Sequence, residues 1–501
     1  MRSDLLYRFV NAMDKGELAA FRLSEHLNSG KWQDQRKSLL EALLQQDSYA
    51  PESLADSISD PEYLRYLPIE KTRLYEAAFA LVLQLRIKRE SGKDPWHHLQ
   101  QSVLLEDMGL AEEAAQKALD GIAVAGKVED VFAELQLREQ LRACFKLLPR
   151  AKNLQQITEN EYRLETVVSK VANLTRYALI SDQLGDHQRK FRVVDDGSVK
   201  AAMQSLMEEG QMSNMSKAMS LPAQIRFASA HALYAESQGA LSEAIGHWEL
   251  CLRLWETKPE RIAYRPHFYR QALGNLIGVL IRSGLTERVP LLLKKMELVP
   301  VSGRRASMLA FCELELNYQF HYMNNDQLEE ALEREGDVRS GLKQFRKQMA
   351  ESKELTLLFN FGIIHLVLGN NHEAKGYFSD IRNKGVLHSR LDLQGLARIF
   401  RLLLLLEDDH NDQFHYFLRS YKRTFRKDMP FYRLEDLVFK WLTKHKRDFQ
   451  APDRPARLMN LYHDLKEFET QRLIGAEELR LWALSRATGK SIRALMAKAD
   501  G

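Results

Sequence analysis

Apolar residues recur along the chain at intervals of three and four, as in Leu104, Leu105 and Met108 or in Leu357, Leu358, Phe361, Ile364 and Leu368. That spacing lines up one face of a helix. Alternation of apolar and polar residues, the mark of a half-buried strand, hardly occurs. Only 13 prolines interrupt 501 residues. Pro95, Pro149, Pro222, Pro259, Pro300, Pro430 and Pro452 fall between periodic stretches, where a missing N–H ends one helix without damaging it. The pattern predicts an all-α fold.

Turn-forming residues divide the periodic stretches at Gly197, Gly239, Gly284, Asn325, Gly369, Asp409 and Ala451-Pro452-Asp453, with gaps of 42, 45, 41, 44, 40 and about 42 residues. A second series of breaks falls between them, at Pro222, Pro259, Gly303, Gly336, Gly385 and Pro430. Each period therefore holds two helices and two turns, which predicts a superhelical array of antiparallel helical hairpins. Gly109 stands 88 residues before Gly197, with a polar break near Lys152 and Asn153 between them, so the array is expected over residues 97–450. Residues 451–501 are expected as capping helices, with a closing helix near 478–495. Residues 1–96 are expected as a small helical N-terminal segment, with helices near 4–13, 31–46 and 51–57 and a long one over 69–89. A helix-turn-helix could be scored there. However, the 69–85 stretch is apolar on most faces, whereas a recognition helix offers a basic polar face to a groove.

Counting from the hairpin glycines, a small residue recurs five positions later and an aromatic nine later. Gly369 is followed by Ala374 and Phe378 and preceded by Gly362; Gly239 is followed by Ala244 and Trp248 and preceded by Ala232; Gly109 is followed by Ala114 but then by Ala118. Small residues let two helix backbones approach while the large one fills the groove between them. These positions resemble the tetratricopeptide-repeat superfamily over residues 97–450. The period of about 42 departs from that family's 34 residues, and Val289, Glu330 and Phe414 stand where a small residue belongs. The layout also resembles large bacterial helical-repeat proteins, a likeness that names no activity. The tetratricopeptide resemblance implies an α-solenoid whose concave surface holds a peptide or a partner helix. It transfers no binding residue, because the Asn and Lys positions of the family's carboxylate clamp are not legible here.

Charge adds little to this picture: 72 Lys and Arg against 68 Asp and Glu leave +4, too small a balance over this length to call for a nucleic acid or a membrane. Cys144, Cys251 and Cys312 lie far apart and form no C-x-x-C, so a reducing compartment is expected. The first residues lack the uninterrupted apolar core of a signal peptide. The most apolar run, 399–406, is broken by Arg401 and falls short of the roughly 20 residues that span a bilayer. A cytoplasmic protein without a membrane partner is expected.

Candidate chemistry is sparse. Gly489-Lys490-Ser491 lacks the first glycine of a phosphate loop, position 484 being Leu. His97 with His98, and His410 with His415, lack the spacing and neighbouring Glu of a helical zinc site. Nucleophile elbows and G-x-G-x-x-G are absent. No catalytic, cofactor-binding or metal-binding residue is therefore assigned, and no cofactor is expected. The one charged feature is the segment 415–450, with a net +6 and interleaved aromatics, where Arg419, Lys422, Arg423, Arg426, Lys427, Lys444, Lys446 and Arg447 form a candidate basic stripe. The favoured expectation is a non-catalytic scaffold or adaptor binding a protein or peptide partner. The alternative is a nucleic-acid-associated regulator using the basic segment.

Overall fold

The computed structural model of the chain describes residues 4–46, 48–90, 92–191, 197–383, 390–408, 411–424, 432–445, 452–466 and 475–499. Among them are 27 α-helices and no β-strand. No helix of the described residues is long and apolar enough to cross a membrane.

The first six helices are α1 (Leu5–Ala12), α2 (Lys15–Arg22), α3 (Glu25–Asn28), α4 (Gln33–Gln45), α5 (Pro51–Asp56) and α6 (Pro61–Glu90). They close around Leu6, Val10, Phe21, Leu39, Leu43, Tyr63 and Ala78. A capping box opens α2: Asp14 accepts from the Glu17 N–H at 2.7 Å and Glu17 accepts from the Asp14 N–H at 2.9 Å. The long helix starts at Pro61, eight residues before the position expected from the apolar pattern. Asp60 caps its first N–H groups, and Pro68 continues the helix.

Next come α7 (Pro95–Asp107), α8 (Ala111–Val128), α9 (Val131–Leu147), α10 (Arg150–Phe191) and α11 (Gly197–Met207). The expected turn at Lys152 and Asn153 is not a turn, because both lie in the first turn of α10, which runs unbroken for 42 residues. The break sits at Pro149, whose missing N–H is harmless there. Gly197 opens α11 rather than forming a hairpin turn.

The remaining helices are α12 (Leu221–Ser237), α13 (Leu241–Glu256), α14 (Pro259–Tyr264), α15 (Pro266–Arg282), α16 (Val289–Glu297), α17 (Arg304–Asn324), α18 (Leu328–Glu333), α19 (Glu335–Phe345), α20 (Glu351–Val367), α21 (Asn371–Asn383), α22 (Leu391–Glu407), α23 (Asn411–Thr424), α24 (Tyr432–His445), α25 (Arg454–Leu465), α26 (Ala476–Thr488) and α27 (Ile492–Ala499). Contacts run from α12 through α13 to α15, and from α15 through α17 to α20. Phe359, Phe378, Phe400, Leu434, Leu461 and Trp482 share one core that runs from α17 into α27.

One turn geometry recurs. Gly109, Gly239, Gly284 and Gly369 have φ between +76° and +82°. In each case the following N–H reaches back five residues, as in Ala240 to the Ala235 carbonyl at 3.0 Å and Asn370 to the His365 carbonyl at 2.8 Å. This is the Schellman ending, which satisfies carbonyls that a helix end would leave bare. Asp326, at φ +54°, makes the same turn, with the Gln327 N–H on the Tyr322 carbonyl at 3.0 Å. The left-handed residue is thus one position beyond Asn325. Gly239, Gly284, Asp326 and Gly369 follow one another at 45, 42 and 43 residues.

Three long-range contacts fold the helices back on themselves. Arg261 on α14 donates to the carbonyls of Val128 and Glu129, both at 2.9 Å. The N-terminal helices dock on the middle of the chain, where Lys347 donates to Asn11 Oδ1 and the Leu44 carbonyl, both at 3.1 Å, and Arg304 donates to the Met13 carbonyl at 3.1 Å. At the other end, Arg493 on α27 reaches Asp326 at 2.9 Å and Glu329 at 2.5 Å.

Candidate binding groove

Two cavities of about 990 and 630 Å³ share Leu233 and Asn275 in their walls. They adjoin at these two residues, and the walls that α12, α15, α17 and α20 contribute to them are together termed the groove. The contributing positions recur at three and four residues, as Ile225, Ser229 and Leu233 on α12, or Phe268, Gln271 and Asn275 on α15. One face of each helix is therefore turned to the groove. The opposite wall of the larger cavity comes from α9 and α10, with Phe132, Leu179, Asp182 and Asp186. The smaller cavity is walled by Gly475, Glu477, Glu478 and Met496 of the C-terminal helices.

Three asparagines stand in register in the smaller cavity. Asn275, Asn317 and Asn360 lie nine residues before the left-handed turn residues Gly284, Asp326 and Gly369. All three are half-buried. Asn317 donates to the Glu313 carbonyl at 2.6 Å, and Asn360 donates to Gln319 Oε1 at 3.0 Å. Asn275 makes no side-chain hydrogen bond among the described residues. The absence of a side chain at Gly274 brings α15 close to Asn317, since a β-carbon there would lie 3.2 Å from Asn317 Nδ2. A carboxamide both donates and accepts, so a row of them matches the alternating N–H and C=O of an extended chain.

The mouth of the larger cavity is tied together by Asp130. Its Oδ1 caps α9 through the Ala133 N–H at 3.1 Å, while Oδ2 accepts from Tyr264 Oη at 2.9 Å and Trp96 Nε1 at 3.3 Å and pairs with Arg265 at 3.5 Å. Beside it Arg261 stacks over the Trp255 ring, its centroid 5.1 Å away. Burial lowers the Arg261 guanidinium pKa to about 10, although Asp130 and Glu129 nearby favour the charge. Cys251 lines the same cavity, and burial pushes its thiol up to about 11. A thiol held neutral in this way is a poor nucleophile.

Of the candidate packing residues from the sequence, Trp248 lines the larger cavity, and Ala244, Gly362, Ala374 and Phe378 pack between helices. Ala244 and Trp248 are buried, and Trp248 Nε1 donates to Glu236 at 2.8 Å, which in turn pairs with Arg282 of α15. Gly239 has open space around it. Gly362 and Phe378 touch across α20 and α21, and Ala374 is buried beside them. The basic stripe is only partly visible. Arg419 and Lys444 are exposed. Lys422 and Arg423 fall on α23, but their side chains are not among those described. Arg426, Lys427, Lys446 and Arg447 lie outside the described residues. Gly489 ends α26 at φ +72°, and Ser485 Oγ closes that turn on the Lys490 carbonyl at 2.6 Å.

The asparagine row carries a sequence signal that hydrophobic periodicity does not reveal: counting back nine residues from each left-handed turn finds it. Glu478 carries none, because its place in the groove depends on where the C-terminal helices return. No protein-family model matches the chain, and no curated protein or solved structure is detectably similar to it.

Proposed function

We propose that the chain is a non-catalytic, tetratricopeptide-like scaffold or adaptor that holds an extended segment of a protein or peptide partner in the groove along α12, α15, α17 and α20. The observation that carries this reading is the register of Asn275, Asn317 and Asn360. Three consecutive helix pairs present the same polar residue at the same distance from the turn, and all three line one cavity. Core packing does not require it. A half-buried amide costs free energy unless its donors and acceptors are matched, and here the matching is partial. A bound backbone supplies the missing partners, and the apolar neighbours Ile363, Ile364 and Val367 take up its side chains.

The test is a synthetic library of nine-residue peptides, screened against the full chain and against the triple variant Asn275→Ala, Asn317→Ala, Asn360→Ala. A subset of peptides should bind the native chain, and the triple variant should bind that subset about tenfold or more weakly, as the loss of one or two net hydrogen bonds implies, while its melting curve stays cooperative. Equal binding by both proteins, or no binding of any peptide at high micromolar concentration, would rule the reading out.

A further inference from the structure

Four ionisable side chains reach the smaller cavity, and three of them are already neutralised. Glu236 is held by Arg282 and by Trp248 Nε1, while Glu477 takes Arg480 at 2.5 Å. Glu478, the next residue, lines the cavity and pairs with no cation among the described residues, its carboxylate taking a hydrogen bond only from its own backbone N–H. The same cavity is lined by Ile364, Val367, Leu328 and Met496 together with the asparagine row. Partial burial penalises a lone carboxylate and raises the carboxyl pKa of Glu478. The N-terminal end of α26 gains from a negative charge. Glu477 supplies that charge from the exposed side of the same turn, so the inward acid is not needed for the helix. An uncompensated acid in a cavity becomes favourable when a cation joins it.

We propose that Glu478 determines the specificity of the groove by receiving the ammonium or guanidinium of a Lys or Arg side chain on an extended peptide whose backbone lies along Asn275, Asn317 and Asn360. This rests on the peptide-binding reading given above. The aliphatic stem of such a side chain can lie on the apolar part of the cavity wall while its charged end meets the acid. A Glu or Asp at the same peptide position is repelled, and Gln gains only a neutral hydrogen bond. Charge-assisted hydrogen bonds are roughly twice as strong as neutral ones. The recognition is therefore selective for charge and tolerant of Lys against Arg.

The same nine-residue library tests it, scored by residue type at each position for the native chain, Glu478→Gln and Asn317→Ala. The native chain should enrich peptides with Lys or Arg at one position, and exchanging that residue for Gln should weaken binding about tenfold. Glu478→Gln should bind the basic peptide and its Gln counterpart equally, while Asn317→Ala should weaken both alike and keep their ratio. Peptides that bind without any basic preference, or a preference that survives in Glu478→Gln, overturn the role of Glu478 and leave the groove reading intact. Failure of every peptide to bind overturns both. Melting curves identify a variant that has lost its fold, and Glu478→Asp, which keeps the charge, should then retain the preference that Glu478→Gln loses.

Discussion

Gly362 on α20 makes room for Phe378 on α21: a β-carbon at position 362 would stand 2.6 Å from Phe378 Cε1 and 2.9 Å from Cζ. The ring is wholly buried and stacks on Phe400 of the next helix, centroids 5.3 Å apart. It has nowhere to retreat. Gly362→Ala should therefore destabilise the chain by about 1–3 kcal/mol, the usual cost of overpacking a core, even though alanine is the better helix former. Urea unfolding measures this. An unchanged or higher midpoint would show that the two helices can separate without penalty.

Asp130 gathers Trp96, Ala133, Tyr264 and Arg265 around one carboxylate. Asp130→Ala removes the cap of α9 and leaves the Tyr264 hydroxyl without its acceptor. We expect a loss of about 2–4 kcal/mol, from one helix cap and one buried polar group left unpaired. The loss should be local before it is global. Hydrogen exchange should quicken first around residues 128–135 and 259–265. Uniform exchange across the chain would contradict the clasp.

Glu129 ends α8 at φ +55°, a left-handed conformation that penalises a β-carbon. Its backbone carbonyl holds Arg261, an interaction that survives any side chain. Glu129→Gly should raise stability by about 1 kcal/mol through relief of that strain. Asp326 is the poorer place to try this, since its side chain is engaged by Arg493. A lower melting temperature for Glu129→Gly would mean that the carboxylate contributes more than the backbone costs.

His98 is buried, and burial, helped by the Lys117 charge, lowers its pKa below the ordinary histidine value. His231, His247, His267 and His321 are lowered too, each chiefly by burial. A lowered histidine binds its proton more readily when unfolded, so its contribution is intact above pH about 6.5 and drains away as pH falls through that value. Glu313 and Glu478, both raised by burial, act in the opposite sense above the ordinary carboxyl range. Stability should thus fall from pH 7 to 5.5, by at most about 1.4 kcal/mol per pH unit for each histidine. His98→Leu should make that fall shallower. An identical slope in the variant would remove His98 from the set.

The helical class and the recurrent turn were legible because both follow from local chemistry. Three- and four-residue spacing leaves no alternative to a helix face, and a glycine at Gly239, Gly284 or Gly369 advertises a positive φ that other residues avoid. The same logic explains the misses. Asp326 and Glu129 make the glycine turn without glycine, and nothing in Lys152 or Asn153 forbids the helix that runs through them. The close approach of Gly362 to Phe378 could be read as a pair of positions, though not as a distance.

By itself, then, the amino-acid sequence determined that the chain is helical and that hairpin turns fall at Gly239, Gly284 and Gly369, since these depend on residues within a few positions of one another. Only the tertiary structure decided that Arg261 closes on Val128 and Glu129, that Lys347 holds the N-terminal helices, and that Glu478 shares a cavity with Asn317 and Asn360. Those relationships join residues more than a hundred positions apart. They depend on how the helices pack against one another over the whole chain, and no local propensity encodes that packing.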